Sequence, residues 1–148
     1  MSVNWAFFAI EKLKDYESKR TAFDNLTEQI KLLEANFTAI KSAATDNISV
    51  QGGETNKREE MLIHNIATRE ELTTNLEIIK NEIEMTEKGL AALSDTERKI
   101  LELFYINRPK GYIERLCDEL YVSKTELYRQ KENALKHFTM ICYGIIEL

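Results

Sequence analysis

Proline occurs once in these 148 residues, glycine five times and cysteine twice. With so few chain breakers and 30% of positions charged, long helices are expected rather than the turn-rich connectivity of a sheet protein. Cys117 and Cys142 fit neither a disulfide framework nor metal-ligand spacing, so a reducing cytoplasm is the expected setting. No apolar run approaches the roughly 18 residues that a membrane span requires. The opening MSVNWAFFAIEKLKD has no basic region before its apolar part and no cleavage pattern, so secretion is not expected. Catalytic signatures are missing as well. His64 and His137 are far apart and have no acid-base neighbour at a recognisable spacing. Gly52-Gly53 reads as a turn and not a phosphate cradle, because no strand precedes it and no Lys-Ser/Thr comes after it. Glu59-Glu60 and Glu70-Glu71 are ordinary helix surface. An enzyme is not expected, and neither is a cofactor nor a metal.

What is present is periodicity. From Val3 to about Thr45 the chain is one amphipathic stretch without Pro or Gly. Ala9, Tyr16, Phe23, Ile30 and Phe37 recur every seven residues, with Leu26, Leu33 and Ile40 offset by three, a coiled-coil-like seam. It degrades at Lys12 and Lys19, where the offset position is charged. Thr45–Asn56 (TDNISVQGGETN) has loop composition, since Gly supplies positive φ and short polar side chains favour turns. A second long helix is expected from about Lys57 to Ala92, carrying Leu72, Leu76, Ile79, Ile83 and Leu90, with Leu62 and Ile66 extending the stripe towards the loop. Two such helices joined by a loop predict an antiparallel hairpin over residues 1–93, with its loop at about 46–56. Neither apolar face is wide enough to be covered by one partner helix, so the hairpin is expected either to dimerise or to pack on the C-terminal segment. Trp5, Phe7, Phe8 and Ile10 make the first turns apolar on several sides.

The remaining segment, 94–148, has a different grammar. Ser94 is followed three residues later by Glu97, and Ser123 by Glu126, which predicts two capping boxes at helix starts. Pro109 disfavours helix at Arg108, and Gly111 lets the chain turn into Tyr112. Ile113, Leu116, Cys117 and Leu120 line one face of a short helix. Tyr121-Val122 leaves room only for a sharp turn, after which Leu127, Ala134, Leu135 and Phe138 give the last helix its apolar stripe. Lys124, Thr125, Glu126, Tyr128, Arg129 and Lys131 lie off that stripe and are expected to face outward. This is the helix-turn-helix pattern, whose second helix enters a DNA major groove. The apolar tail TMICYGIIEL is expected to be buried against this segment or a partner.

These residues also carry a resemblance. Leu93-x-x-x-Glu97-Arg98, the nearby Ile100-Leu101-x-Leu103, Val122-Ser123 at the last helix and the closing Ala134-Leu135 resemble the fourth region of bacterial sigma factors. With long helices in front, the whole chain resembles the phage and prophage late-transcription regulators of the ArpU and RinA kind. Tyr121 stands where many helix-turn-helix proteins have Gly, and Cys117 where Ala or Gly is commoner. The resemblance implies an all-α protein: an N-terminal helical hairpin followed by a C-terminal sigma-like DNA reader. It also implies that Lys124, Thr125, Glu126, Tyr128 and Arg129 read bases, while Ser123 and Lys131 contact the DNA backbone.

Charge neither forbids nor demands that role. The net charge is −5, carried by the first 93 residues with eleven basic and sixteen acidic side chains, while the remainder holds nine of each. Within Val122–His137, Lys124, Arg129, Lys131 and Lys136 outnumber Glu126 and Glu132, so the last helix is locally positive. Attraction to phosphates scales with the charges placed against them, and few charges mean modest affinity for one copy. The expected partners are double-stranded DNA, a second copy of the chain (a dimer before larger assemblies) and RNA polymerase. Two alternatives remain: a small-terminase-like subunit that recognises DNA for packaging, or a polymerase adaptor that binds no DNA.

Overall fold

The computed structural model describes residues 2–46 and 52–145. Residues 47–51 of the expected loop and 146–148 of the apolar tail lie outside the described residues. The described chain is all-helical, without a strand: α1 (Trp5–Lys14), α2 (Tyr16–Asp46), α3 (Gly52–Ala91), α4 (Asp95–Leu101), a π-helical turn (Glu102–Ile106), α5 (Tyr112–Leu120) and α6 (Lys124–Tyr143).

Two helix boundaries differ from those that the sequence pattern predicts. The stretch beginning at Val3 is two helices, not one. Asn4 caps α1 by accepting the Phe7 N–H at 3.1 Å, and Asp15, with ψ flattened to −4°, ends it. The second long helix begins at Gly52 rather than near Lys57, so Gly52–Asn56 are helical and the Gly pair is not a turn. Glycine is costly in a helix interior, but the first-turn amides have no intrahelical partner to lose, and 35 further helical residues propagate from a nucleus formed downstream.

The chain divides into two compact units, Met1–Arg20 with Asn81–Leu148, and Thr21–Lys80. The division runs through α2 and α3. In the first unit, α1 packs on α6 and the π turn, and α4 and α5 pack on α6. One core gathers Ala9 and Leu13 of α1, Leu90 and Leu93, Leu101, and Ala134, Leu135 and Phe138 of α6. A second core joins Ile100 and Phe104 to Leu116 and Leu127. The π turn lies between them. Asn107 donates its N–H to the Glu102 carbonyl at 2.8 Å, and Tyr105 touches both clusters. Lys12 and Lys19, the charged intruders in the heptad, meet one carboxylate. Their Nζ atoms lie 3.2 and 3.5 Å from Oε2 of Glu82 on α3.

In the second unit, α2 and α3 touch through side chains. Asn65 Nδ2 donates to the Leu33 carbonyl at 2.9 Å, and Arg69 stacks 4.9 Å over Phe37. Asn65 also accepts from Arg69 Nε at 2.8 Å. Asn65, and not Ile66, therefore continues the seam, and Ile66 is exposed. A buried amide held from both sides fixes which residues of the two helices face each other.

Candidate nucleic-acid interface

The geometry of α5, its turn and α6 results from three local devices. Gly111 enters α5 at φ 73°, a left-handed conformation that costs glycine nothing. Tyr121 ends it at φ 56°, ψ 46°, left-handed although not glycine. Ser123 then starts α6, its hydroxyl accepting the Glu126 N–H at 3.2 Å. The reciprocal half of the expected second capping box is absent. The Glu126 carboxylate turns instead to Arg129, whose Nε donates to it at 2.8 Å, and to Gln130 at 3.2 Å. The charged guanidinium is the stronger attraction. Together with Gln130 it holds the Glu126 carboxyl down at about 2. The first box is complete, with Ser94 and Glu97 exchanging both bonds at 3.1 Å.

From this frame the front of α6 can be read residue by residue. Leu127 and Ala134 are fully buried. Ser123, Lys124, Thr125, Tyr128 and Arg129 are exposed, and Glu126 is half-buried. Lys131 does not project as expected. Its side chain is 16% exposed, with Nζ 2.6 Å from Glu132 Oε1 and 5.7 and 5.8 Å from the Phe104 and Tyr128 rings. Burial alone would lower the Lys131 pKa, but Glu132 and Tyr105 raise it above the usual lysine value. Phe104 draws it in, because the ring is edge-on to Tyr128 at 5.9 Å and leaves a π face for the ammonium.

The outward charge is therefore smaller than the composition indicates. Arg129 is neutralised by Glu126 and Lys131 by Glu132, while Lys124 stands exposed without a partner among the described residues. Surface pairs of this kind open at little cost. Tyr121 is a candidate that spacing alone does not single out. Its ring is 94% exposed in the turn, beside the start of α6. The only signal for it in the sequence is an aromatic where glycine is usual.

Elsewhere in the first unit, His137 Nδ1 lies 2.9 Å from Glu97 Oε2 and joins α6 to the start of α4. Cys117 packs against the second core and Cys142 against the first, both as free thiols. Burial pushes the Cys142 thiol up. Among the described residues no group of His, Cys, Asp or Glu is arranged to hold a metal ion, and no helix is long and apolar enough to cross a membrane.

A family model described as "Protein of unknown function (DUF1492)" matches residues 39–139, more than half of the chain, from the end of α2 to the buried Thr139 of α6. No curated protein and no solved structure matches the chain.

Proposed function

The chain belongs to the DUF1492 family of proteins of unknown function, and we propose that it is a sequence-specific DNA-binding regulator of phage or prophage late genes. In this reading α5, the Tyr121 turn and α6 form a sigma-like helix-turn-helix, and α6 lies in the major groove. The helices α2 and α3 join copies of the chain or contact RNA polymerase. No catalysis is part of the reading.

The observation that carries it is the two-sided character of α6. Leu127, Ala134 and Phe138 are sealed inside while Lys124, Thr125, Tyr128 and Arg129 face water from the same helix start. Lys124 and Arg129 are the bidentate or phosphate-binding candidates. Tyr128 and Thr125 supply hydroxyl donors and acceptors, and Glu126 can accept from a cytosine amino group once Arg129 leaves it. The helix start adds backbone N–H groups, which favour a nearby phosphate. Lys131 contributes through Tyr128, whose ring it helps hold, rather than by reaching a phosphate.

The test is a mobility shift with fragments upstream of the genes neighbouring its own. Sequence-selective binding by the native chain, lost in a Lys124→Ala, Arg129→Ala double variant, supports the reading. Selective binding that survives the double variant removes the assigned face. A second reading is favoured by the pairing of Arg129 with Glu126 and of Lys131 with Glu132: a polymerase adaptor whose α6 front meets protein. Salt separates the two, because log affinity for DNA falls with log salt by about 0.9 per phosphate contact.

A further inference from the structure

The unit Thr21–Lys80 is poorly buried for its apolar content. Among its described residues the one fully buried residue is Asn65, while Leu26, Ile30, Leu33, Phe37 and Ile79 are half-buried. Two helices side by side shield a single seam and leave both flanks to water. The two flanks differ in kind. A shallow groove on one side is rimmed by charge, with Glu34, Arg69 and Glu70 around Ile30 and Ile66. The groove on the other is lined by Ala22, Asn25, Leu26, Gln29, Asn75 and Ile78, without a charge.

The uncharged character runs along both helices. On α2, steps of three and four residues from Ala22 reach Asn25, Gln29, Leu32, Asn36 and Ala39. On α3 the same steps back from Ile78 reach Asn75, Glu71, Thr68, His64 and Met61. Glu71 is the only Asp, Glu, Lys or Arg among these twelve, which also include His64, in a chain where those four types fill 30% of positions. Leu32 is 59% and Ile78 56% exposed, so the stripe has apolar anchors left open to solvent.

We propose that this flank is a self-association surface, on which a second copy lays the same flank across a two-fold axis to complete a four-helix bundle. Three features select a second copy over another partner. The three-four spacing is that of an a/d seam, which is met by a helix of the same period. Four of the stripe's polar groups are amides (Asn25, Gln29, Asn36, Asn75), each both donor and acceptor and so able to pair with an amide of the other copy across the axis. Nucleic acid calls for basic groups instead, and a charged protein for opposite charge. Finally, residues 1–93 carry the whole net charge of −5, so identical copies repel wherever their acidic surfaces meet. The uncharged flank is where they approach without that penalty.

This flank supplies the surface for the self-association of α2 and α3 proposed with the DNA reading, and it needs none of the DNA contact. The full chain is measured by light scattering after size exclusion over a wide concentration range, with no DNA present. The native chain is expected at twice its 17.2 kDa mass. A Leu32→Glu, Ile78→Glu variant is expected at the single mass, with dissociation at least tenfold easier and unchanged helical circular dichroism, since both side chains are exposed and Glu is a good helix former. Ile63→Glu, at a 66% exposed position outside the stripe, is expected to remain double. A native chain of single mass at every concentration overturns the inference and leaves the flank to a different protein. So does a dimer that survives the Leu32 and Ile78 changes, or one that Ile63→Glu also dissociates. The scattering readout contains no DNA, so loss of the DNA reading and loss of self-association are told apart.

Discussion

Gly89 of α3 lies against the ring of Phe138 on α6 so closely that an added Cβ would stand 2.7 Å from Phe138 Cε2 and 2.9 Å from Cys142 Sγ. Phe138 is fully buried, so its ring has nowhere to move. Alanine at position 89 would gain about 1 kcal/mol of helix propensity. It would also overpack a closed contact, at a cost of about 1–3 kcal/mol. The expected result for Gly89→Ala is a net loss of about 1 kcal/mol, read as a melting temperature lower by roughly 2–4 °C. A variant that melts higher than the native chain would show that the helices have room to separate.

That glycine also marks where the sequence stops being readable. Residues 89–94 are legible as the end of a helix, because Gly89 and the Ser94 cap lie within two turns of each other. The reason for a side chain of zero size is not, since it sits 49 residues away in Phe138. Lys12 and Lys19 are visible as faults in a heptad, but their common partner Glu82 is 70 and 63 positions distant. The π turn at Glu102–Ile106 leaves no periodic trace, for one widened turn adds no repeat. At the candidate site the inside and outside of α6 are legible from spacing, as Leu127 and Ala134 against Lys124 and Arg129. Lys131 escapes that logic because spacing says nothing of Phe104, an aromatic from another helical segment that draws the ammonium down.

Tyr121 holds a left-handed conformation in which any residue but glycine is strained, and its exposed ring gains little from packing in return. Tyr121→Gly is expected to stabilise the fold by about 0.5–1 kcal/mol, the strain relieved less the added freedom of the unfolded chain. A urea titration should show a higher midpoint at unchanged slope. An unchanged or lower midpoint would mean that the ring has a contact worth as much as the strain. If the stabilised variant also binds its target less well, the tyrosine serves the complex and not the fold.

Lys12 is a buried cation, its side chain 6% exposed, held between Glu82 and the Tyr143 ring 5.7 Å away. Removing the carboxylate leaves that charge without its anion at 3.2 Å. Glu82→Ala is expected to destabilise the chain by about 1–3 kcal/mol, short of a fully buried pair because Glu82 is 40% exposed. Lys12→Met fills the same space without a charge and is expected to be nearly neutral. The measurement is a pair of thermal melts. Equal losses in the two variants would show that packing, not charge, sets the cost.

Acid should act on the junction of α4 and α6. Burial alone would raise the Glu97 carboxyl, but its hydrogen bonds with His137 and with the Ser94 backbone and hydroxyl outweigh this and hold it below the ordinary glutamate value. A depressed folded-state pKa means that the unfolded chain takes up the proton first as pH falls. The stability it contributes is therefore complete above the unfolded value near 4.5 and is lost as pH drops from there through the folded value. Glu97→Gln keeps the size and removes the titration. Between pH 5 and about 3 the native chain is expected to lose melting temperature more steeply than this variant. Glu82, Glu119 and Glu126 are depressed as well and set the acid sensitivity common to both chains. Parallel acid slopes in the two proteins would show that the Glu97 contacts with His137 and Ser94 do not distinguish the charged from the neutral carboxyl.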